Sequence, residues 1–240
     1  DIWLYRPVKV SSDECLKAII FNDGGAYLAR QGAVRATLVL DWLHSAGLLQ
    51  NTIAVFVNPG NPAEPHIPPA PIESYGPREA QRSWEYDRLT ADYGRFLVED
   101  ILPLAETSLD CRISPEAADR IICGISSGGI AAFNAAWHFP KAFGNVISHC
   151  GSFTNIWGGH HFPYLVRSSP RKPIRVFLQS GENDAQTLFG DWGLANKAMA
   201  SALQYAGYEM RFEFGTGGHT LKHAGACFSE ALRWIWSIDG

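Results

Sequence analysis

Short apolar runs rich in β-branched residues alternate along this chain with longer segments of helical periodicity. The runs IIF, IAVFV, RIICGI and IRVFL are almost unbroken apolar sequence. Strands of that kind are typically covered on both faces, as in a parallel sheet packed between two layers of helices. The alternation therefore predicts the α/β class, with a mostly parallel central sheet and helices on both faces. We expect residues 1–240 to form one domain.

The pattern also predicts the individual elements. The expected strands are residues 16–21, 52–57, 120–124, 145–149, 174–179 and 210–214. The expected helices are residues 36–49, 86–105, 129–138, 194–206 and 226–236. Between them, residues 59–77 carry so many prolines that helix and interior strand are excluded, so a long loop or flap is expected there.

Composition narrows the classes of partner. The chain is 46% hydrophobic and 18% charged, with a net charge of −4. A mixed, mildly acidic chain has no electrostatic footprint for DNA or RNA. It also has no run near the roughly 20 apolar residues that a membrane-spanning helix needs. We expect no nucleic-acid partner and no membrane span.

The segment Gly124-Ile125-Ser126-Ser127-Gly128 follows an apolar strand directly and precedes a helix. In open parallel sheets, ligands bind at the carboxyl ends of the strands. A GxSxG segment placed there is typical of a nucleophile elbow, whose tight turn exposes the serine. Ser126 is the candidate nucleophile. The alternative is an ordinary glycine-rich connection between strand and helix.

A serine nucleophile needs a base, and the base needs an acid that orients it. His219 follows the strand at 210–214, and Asp184 follows the strand at 174–179, so both lie at the same sheet edge. We predict His219 as the base and Asp184 as the acid. Glu182 and Asp191 are rival acids, and Asp191 could equally be the N-cap of the helix at 194–206.

Acyl transfer also requires donors for the oxyanion. One predicted donor is the backbone N–H of Ser127, the residue after the nucleophile. The second is expected from Gly24 or Gly25, which follow the strand at 16–21. A plain turn is the alternative for that loop.

Other chemistries lack the necessary residue types. His219 and His223 have the spacing of a zinc helix, but the glutamate of HExxH is missing. No CxxC pair, Walker motif or GxGxxG fingerprint occurs. We therefore expect no metal and no cofactor.

Several blocks of the sequence resemble the enterochelin esterase/esterase D-like branch of the α/β-hydrolases, which is related to carbohydrate esterase family 1. They are ICGISSGG, AAWHFPKAFGNVISHCGSF, VFLQSGENDAQTLFGDWGLANKAMASAL, GTGGHTLKHAGACFSEALRWIW and, in the N-terminal half, VFVNPG and RSWEYDRLTADYGRFLVEDILPLAE. The resemblance implies an α/β-hydrolase fold without a large cap domain, leaving the loop at 59–77 as the lid. It also implies Ser126 as nucleophile, His219 as base, an acid within residues 180–184, and Arg82 and Glu85 as residues that shape or brace the site.

Members of this family cleave acyl esters, so the resemblance implies a serine carboxylic-ester hydrolase. We expect feruloyl, acetyl or other acyl esters of plant carbohydrate as the substrates. The alternatives are a siderophore ester of the enterochelin type and acyl transfer by the same triad. The resemblance favours a secreted or periplasmic location, and a chain that begins with Asp1 is expected to have been trimmed.

Aromatic residues near the predicted active edge are candidates for binding the substrate. Trp84, Trp157 and Trp192 fall in loops or helix starts, where an exposed indole stacks well on a sugar or an aromatic acyl group. His160 lies in the same segment as Trp157. Half-buried scaffold is the alternative for each tryptophan.

Overall fold

The computed structural model describes residues 1–8, 15–61 and 76–238. Its strands are β1 (Ile2–Tyr5), β2 (Lys17–Asn22), β3 (Thr52–Val57), β4 (Arg120–Ile125), β5 (Asn145–His149), β6 (Arg175–Asn183), β7 (Gln186–Thr187), β8 (Gly190–Asp191) and β9 (Met210–Gly218). Seven of them form one sheet in the order β1-β3-β2-β4-β5-β6-β9. The first strand pairs antiparallel to β3, and the other pairs in this sheet are parallel. The predicted α/β class with a mostly parallel sheet is therefore confirmed.

Helices connect the strands. They are α1 (Gly24–Leu28), α2 (Ala36–Ser45), α3 (Pro77–Tyr86), α4 (Asp92–Phe96), α5 (Leu102–Leu109), α6 (Ser127–His138), α7 (Phe162–Ser168), α8 (Trp192–Tyr205) and α9 (Leu221–Ile235). One π-helical turn, Leu97–Ile101, joins α4 to α5. Short 3-10 turns occur at Ala117–Asp119 and Gly159–His161.

Alternating residues of β2, β3, β4, β5 and β6 contribute to two separate apolar cores. In β2, Ile19 and Phe21 pack with residues of α1, α2 and α9, whereas Ala18 and Ile20 pack with residues of α4, α5, α6 and α8. Every residue of β3 is buried. Because both faces are covered, the strands read as nearly continuous apolar runs, which is what made them recognisable in the sequence.

The predicted helix at 86–105 is wrong in its first part. Tyr86 ends α3, and the next helix begins only at Asp92. The amide of Asn134 donates to the backbone carbonyls of Arg88 and Thr90, at 3.3 and 2.7 Å, and so holds the chain out of helical geometry. Further on, Pro103 lacks an N–H and crowds the preceding turn, and the π-helical turn before it accommodates this change.

Other boundaries agree more closely, and β3 and β5 begin and end where predicted. The strands β6 and β9 run four residues further than expected, to Asn183 and Gly218. The antiparallel β1, the short helices α1 and α7, and the β7–β8 hairpin were not predicted. The longer β6 and β9 matter most, because they extend the sheet up to the candidate site.

Within the described ranges, no separate cap domain stands over the sheet. The predicted lid at 59–77 falls largely on residues 62–75, which lie outside the described residues. In the part of the chain that is described, none of the helices combines the length and apolarity needed to cross a bilayer.

Candidate functional site

Ser126 occupies a sharp turn between β4 and α6. Its backbone has φ 59° and ψ −123°. A positive φ of this kind costs energy for any residue that carries a side chain. The turn is tight enough that a Cβ on Gly124 would lie 2.2 Å from the carbonyl oxygen of Gly128. The Ser126 N–H donates to the His149 carbonyl at 2.9 Å and holds the turn on the neighbouring strand. The half-buried hydroxyl is therefore presented at the sheet edge by a strained backbone.

Three side chains meet above this turn. The Ser126 Oγ lies 2.9 Å from His219 Nε2, and His219 Nδ1 lies 2.5 Å from Asp184 Oδ1. The His219 side chain is 30% exposed, whereas that of Asp184 is fully buried. The imidazole thus bridges a hydroxyl that is open to a ligand and a carboxylate that is sealed from solvent.

The surroundings of Asp184 keep its carboxylate ionised. Burial acts to raise the pKa of Asp184, but hydrogen bonds from His219, Ser180 and the backbone N–H of Ala185 outweigh it and lower the pKa. Ser180 Oγ donates to Asp184 Oδ2 at 2.6 Å, and the Ala185 N–H donates to Oδ1 at 2.8 Å. An ionised carboxylate at Nδ1 favours the tautomer that leaves Nε2 as an acceptor for the serine proton.

Glycines let the ends of β6 and β9 approach closely enough to join Asp184 to His219. A Cβ on Gly181 would lie 2.1 Å from the carbonyl oxygen of Gly217, and one on Gly218 would lie 2.9 Å from that of Asn183. The ladder between these strands shifts register between Gly181 and Asn183. This close pairing brings together two residues that are 35 positions apart.

The two rival acids lie elsewhere. Glu182 is exposed. Asp191 is the N-cap of α8, where its carboxylate accepts from the Leu194 N–H at 2.9 Å and from the Gln186 amide at 3.0 Å. Among the three candidates, the structure brings only the Asp184 carboxylate to the His219 ring.

The predicted oxyanion donors differ in availability. Ser127 and Gly24 are the first residues of α6 and α1, and a helix leaves its first N–H groups without intrahelical partners. The N–H of Gly25 instead donates to the side-chain oxygen of Asn58 at 3.0 Å. The expectation that Gly25 donates to the oxyanion is therefore corrected, because its N–H already has a partner. The role of the Gly24 N–H as an oxyanion donor stays a prediction.

Arg82 anchors the loop that carries Gly24. Its guanidinium donates twice to the Asp23 carboxylate, at 2.8 and 2.7 Å, and its Nη2 also reaches the Ile125 carbonyl at 3.4 Å. Burial alone would lower the pKa of Arg82, but the hydrogen bonds and charge of Asp23 raise it. Arg82 thus connects the loop after β2 to the end of β4, one residue before Ser126.

Glu85 holds the beginning of the proline-rich stretch. Its carboxylate accepts from the Gly60 N–H at 3.1 Å and from the Gln81 amide at 2.6 Å. Glu85 also lines a cavity of about 430 Å³ beside α3, together with Trp84 and Asn58. The prediction that Glu85 shapes the region around the site is compatible with this position.

The aromatic candidates divide into a surface group and a buried one. Trp84 and Trp157 are half-buried and meet edge to face at 5.7 Å, and Trp157 Nε1 donates to Ser83 Oγ at 3.1 Å. His160 is exposed, with its ring against the neighbouring His161. Trp192 is only 4% exposed, so the expectation of an open stacking surface there is wrong. Its ring packs edge-on against His219 at 5.7 Å, where a substrate could not lie flat on it.

The buried side chain of Cys150 lies close to Asp184 and His219. Within the described residues, ligand atoms of Cys150, Asp184 and His219 lie within 4.8 Å of one another, close enough to share an ion. Burial raises the pKa of the Cys150 thiol well above its usual range, which disfavours the thiolate that a metal prefers. Asp184 and His219 also already use each other as partners, so the expectation of no metal stays a prediction.

Sequence reasoning missed three polar residues that support this site. Asp23 lay in the loop searched for oxyanion donors, and Ser152 lay just past a strand end that faces the site. Ser180 directly precedes the loop that holds the predicted acid. All three are short polar residues at the carboxyl ends of apolar strands, which was the available signal, but their partners are distant in the sequence.

Comparisons with known proteins identify the family of this chain. The family model described as "Putative esterase" matches residues 2–235. The iron(III) enterobactin esterase of Dickeya dadantii is 28% identical over 162 residues, covering 59% of this chain and 34% of that protein. The corresponding Escherichia coli protein is 27% identical over 140 residues, covering 54% of this chain and 32% of its own length.

Solved structures share the fold at lower identity. The enterochelin esterase from Shigella flexneri has a TM-score of 0.74 at 19% identity, covering 98% of this chain and 54% of that one. A ferulic acid esterase has a TM-score of 0.71 at 16% identity, covering 99% of this chain and 92% of that one. The chain thus spans about a third of the curated relatives and about half of the Shigella structure. The resemblance to the enterochelin esterase branch is confirmed, and the chain belongs to the esterase family.

Proposed function

We propose that this protein is a serine carboxylic-ester hydrolase that works through a covalent acyl-enzyme. The observation that carries the proposal is the hydrogen-bonded series Ser126 Oγ, His219 and Asp184, built on a strained turn at the start of a helix. A half-exposed hydroxyl with a base at 2.9 Å, and a buried carboxylate behind that base, is an arrangement that activates serine.

The reaction follows from these contacts. Ser126 Oγ attacks the ester carbonyl carbon while His219 Nε2 takes the hydroxyl proton, and His219 then gives that proton to the departing alcohol as the carbon–oxygen bond breaks. A water molecule repeats the sequence on the acyl-enzyme, releasing the carboxylic acid and restoring the Ser126 hydroxyl. The Asp184 carboxylate stabilises the imidazolium formed in each half.

The oxyanion of each tetrahedral intermediate needs at least two donors. We assign these to the backbone N–H groups of Ser127 and Gly24. Both are the first residues of helices, whose first N–H groups lack intrahelical partners and are available to donate to the oxyanion. Arg82 and Asp23 hold the second of these helices in place.

For the substrate, we propose acyl esters of plant carbohydrate, with feruloyl esters, whose acyl group is aromatic, first and acetyl esters on the same polymers next. The half-buried pair Trp84 and Trp157 offers apolar ring surface near α3. Two arginines in this region are already paired. Arg82 is bound to Asp23, and Arg88 lies 3.7 Å over the Trp84 ring and contacts Asp92. A neutral aryl ester suits such surroundings better than a multiply charged ligand.

A siderophore ester is the second candidate. It is favoured by a specific observation, since the two curated relatives are both named iron(III) enterobactin esterases. The matched region spans about a third of the length of each of these relatives.

A product-resolved assay separates these possibilities. Wild-type protein and Ser126→Ala would be incubated with methyl ferulate, feruloylated arabinoxylan, acetylated xylan, enterobactin and its iron complex, with products identified by mass spectrometry. We expect free ferulate from wild type and a loss of several orders of magnitude in Ser126→Ala. Turnover of enterobactin alone would favour the second candidate. Acyl transfer to an added sugar would indicate a transferase, and equal rates for the two proteins would reject the proposed nucleophile.

A further inference from the structure

Ser152 lies beneath the candidate nucleophile and contacts it twice. Its Oγ is 3.3 Å from Ser126 Oγ, at the long end of hydroxyl contacts, and its backbone N–H donates to the Ser126 carbonyl at 3.1 Å. Ser152 is only 1% exposed and follows β5 by three residues. The direction of the Ser152 hydroxyl proton decides whether Ser152 donates a hydrogen bond to the Ser126 oxygen or accepts one from it.

Trp192 determines which way the Ser152 hydroxyl points. An indole N–H only donates, and Trp192 Nε1 donates to Ser152 Oγ at 3.2 Å. Ser152 is therefore the acceptor in that contact, and its own proton is free to point to Ser126 Oγ. Because Trp192 is buried, its N–H is not diverted to solvent.

The contacts among Asp184, His219 and Ser126 require the same orientation of the Ser152 hydroxyl. The ionised Asp184 carboxylate only accepts, so His219 carries a proton on Nδ1 and accepts at Nε2. Ser126 then gives its proton to His219 and has lone pairs left to accept from Ser152. Every contact from Trp192 to Asp184 is satisfied by one consistent arrangement of protons.

We propose that Ser152, oriented by the Trp192 N–H, is a positioning residue that fixes the Ser126 hydroxyl with its proton directed at His219. This inference rests on the proposed serine hydrolase function and adds two residues to it. The hydrogen bond from Ser152 restricts rotation about the Ser126 side chain, so a larger fraction of molecules is ready for attack. The effect belongs to the acylation step and leaves binding of the ester unchanged.

The test measures acylation directly. Wild type, Ser152→Ala, Trp192→Phe and the double variant would be labelled with a fluorophosphonate probe, and the burst phase with p-nitrophenyl acetate would be recorded for each. Ser152→Ala retains the backbone contact and loses only the hydroxyl. Trp192→Phe keeps an aromatic ring against His219 but loses the N–H and, because phenyl is smaller than indole, some buried packing. We expect each single change to slow labelling and the burst by about fivefold to tenfold. The dissociation constant of the ester, obtained from how the burst rate depends on ester concentration, should be unchanged.

The double variant separates positioning from packing. If Trp192 acts through Ser152, then Trp192→Phe has no further effect once Ser152 is alanine, and the double variant labels at the rate of Ser152→Ala. A role for Trp192 in packing alone would instead give losses that multiply, which would overturn the inference.

Ser148→Ala is a matched control. Ser148 is fully buried four residues earlier, and its hydroxyl has no hydrogen-bond partner within the described residues. Its removal should leave the labelling rate unchanged, and circular dichroism would establish that each variant is folded. If Ser152→Ala does not fold, Trp192→Phe decides by the same rate criterion.

The remaining outcomes are distinct. Unchanged rates in Ser152→Ala or Trp192→Phe, with a reactive wild type and an inert Ser126→Ala, would overturn this inference and leave the proposed function standing. A wild type inert to the probe and to every ester would reject both.

Discussion

Arg82 binds Asp23 through two hydrogen bonds that span 59 positions of the sequence. The pair is partly buried, with side-chain exposures of 28% and 17%. Asp23 directly precedes Gly24, whose N–H we assign as an oxyanion donor. The ion pair with Arg82 therefore fixes the position of this donor. Loss of one partner leaves the other charge partly desolvated.

Replacement of Arg82 should therefore affect activity and stability together. We expect Arg82→Ala to lower kcat/KM by about tenfold to a hundredfold and the free energy of unfolding by about 1–3 kcal/mol. Arg82→Lys, which cannot make both hydrogen bonds, should fall between it and wild type. Ester kinetics and urea denaturation measure the two effects, and wild-type values for Arg82→Ala would show that the pair does not hold the loop.

The identity of the acid can be tested with matched isosteric changes. Asp184→Asn should lower kcat by about 10⁴-fold, because the amide would favour the wrong imidazole tautomer. Glu182→Gln and Asp191→Asn should retain activity near wild type, since neither carboxylate contacts His219 and asparagine still caps a helix. Steady-state kinetics on a p-nitrophenyl ester compare all three, and a comparable loss in either control would point to a different acid.

The elbow should tolerate no side chain at Gly124. A Cβ there would lie 2.2 Å from a backbone oxygen, so we expect Gly124→Ala to lower the free energy of unfolding by about 3 kcal/mol or more. Gly25→Ala is the control, because its Cβ would meet neighbours at ordinary distances of 3.4–3.5 Å. Thermal and urea unfolding of both variants provide the comparison. Equal stability would mean that the turn relaxes at little cost.

Asp87 should make stability depend on pH. This side chain is 2% exposed and accepts from Ser83 Oγ at 2.8 Å. Burial raises its pKa to about 6, against the opposing effects of the Ser83 hydrogen bond and the Arg82 charge. The folded protein thus keeps a proton that the unfolded chain loses near pH 4. The resulting stabilisation is complete below about pH 4 and is lost as the pH rises through 6.

Asp87→Asn cannot titrate and should lack this dependence. The free energy of unfolding of wild type, measured relative to Asp87→Asn, should fall by about 3 kcal/mol between pH 4 and pH 7. Urea denaturation of both proteins at several pH values gives the difference, in which the other carboxylates cancel. A difference that does not change with pH would indicate that Asp87 ionises normally in the fold.

Much of the architecture was predictable because strands that are buried on both faces of the sheet appear in the sequence as continuous apolar runs. Strands β3 and β5 were predicted to the residue, since their apolar runs end at turn residues. The break after Tyr86 was not predictable, because it depends on hydrogen bonds from Asn134, more than 40 positions away. A periodic pattern reports which face of a segment is apolar, and it carries no information about a distant amide that competes for carbonyl groups.

In the candidate site too, some residues could be predicted from the sequence and others could not. Ser126, Asp184 and His219 could be nominated because each follows an apolar strand, and parallel strands end at one edge. The burial of Trp192 and its contact with Ser152 could not be foreseen, since both depend on how α8 packs against β6 and the segment that follows β5. Side chains whose roles depend on strand position were predictable, and those whose roles depend on packing between elements were not.

The position of β9 at the margin of the sheet has a consequence for heat resistance. Among the described strands it pairs only with β6, most of its residues are only partly buried, and His219 follows directly after its last residue. Fraying of this outer strand would carry the imidazole away while the central strands remain intact. Catalysis should therefore fail on warming several degrees before the cooperative melting of the protein, and it should return on prompt cooling.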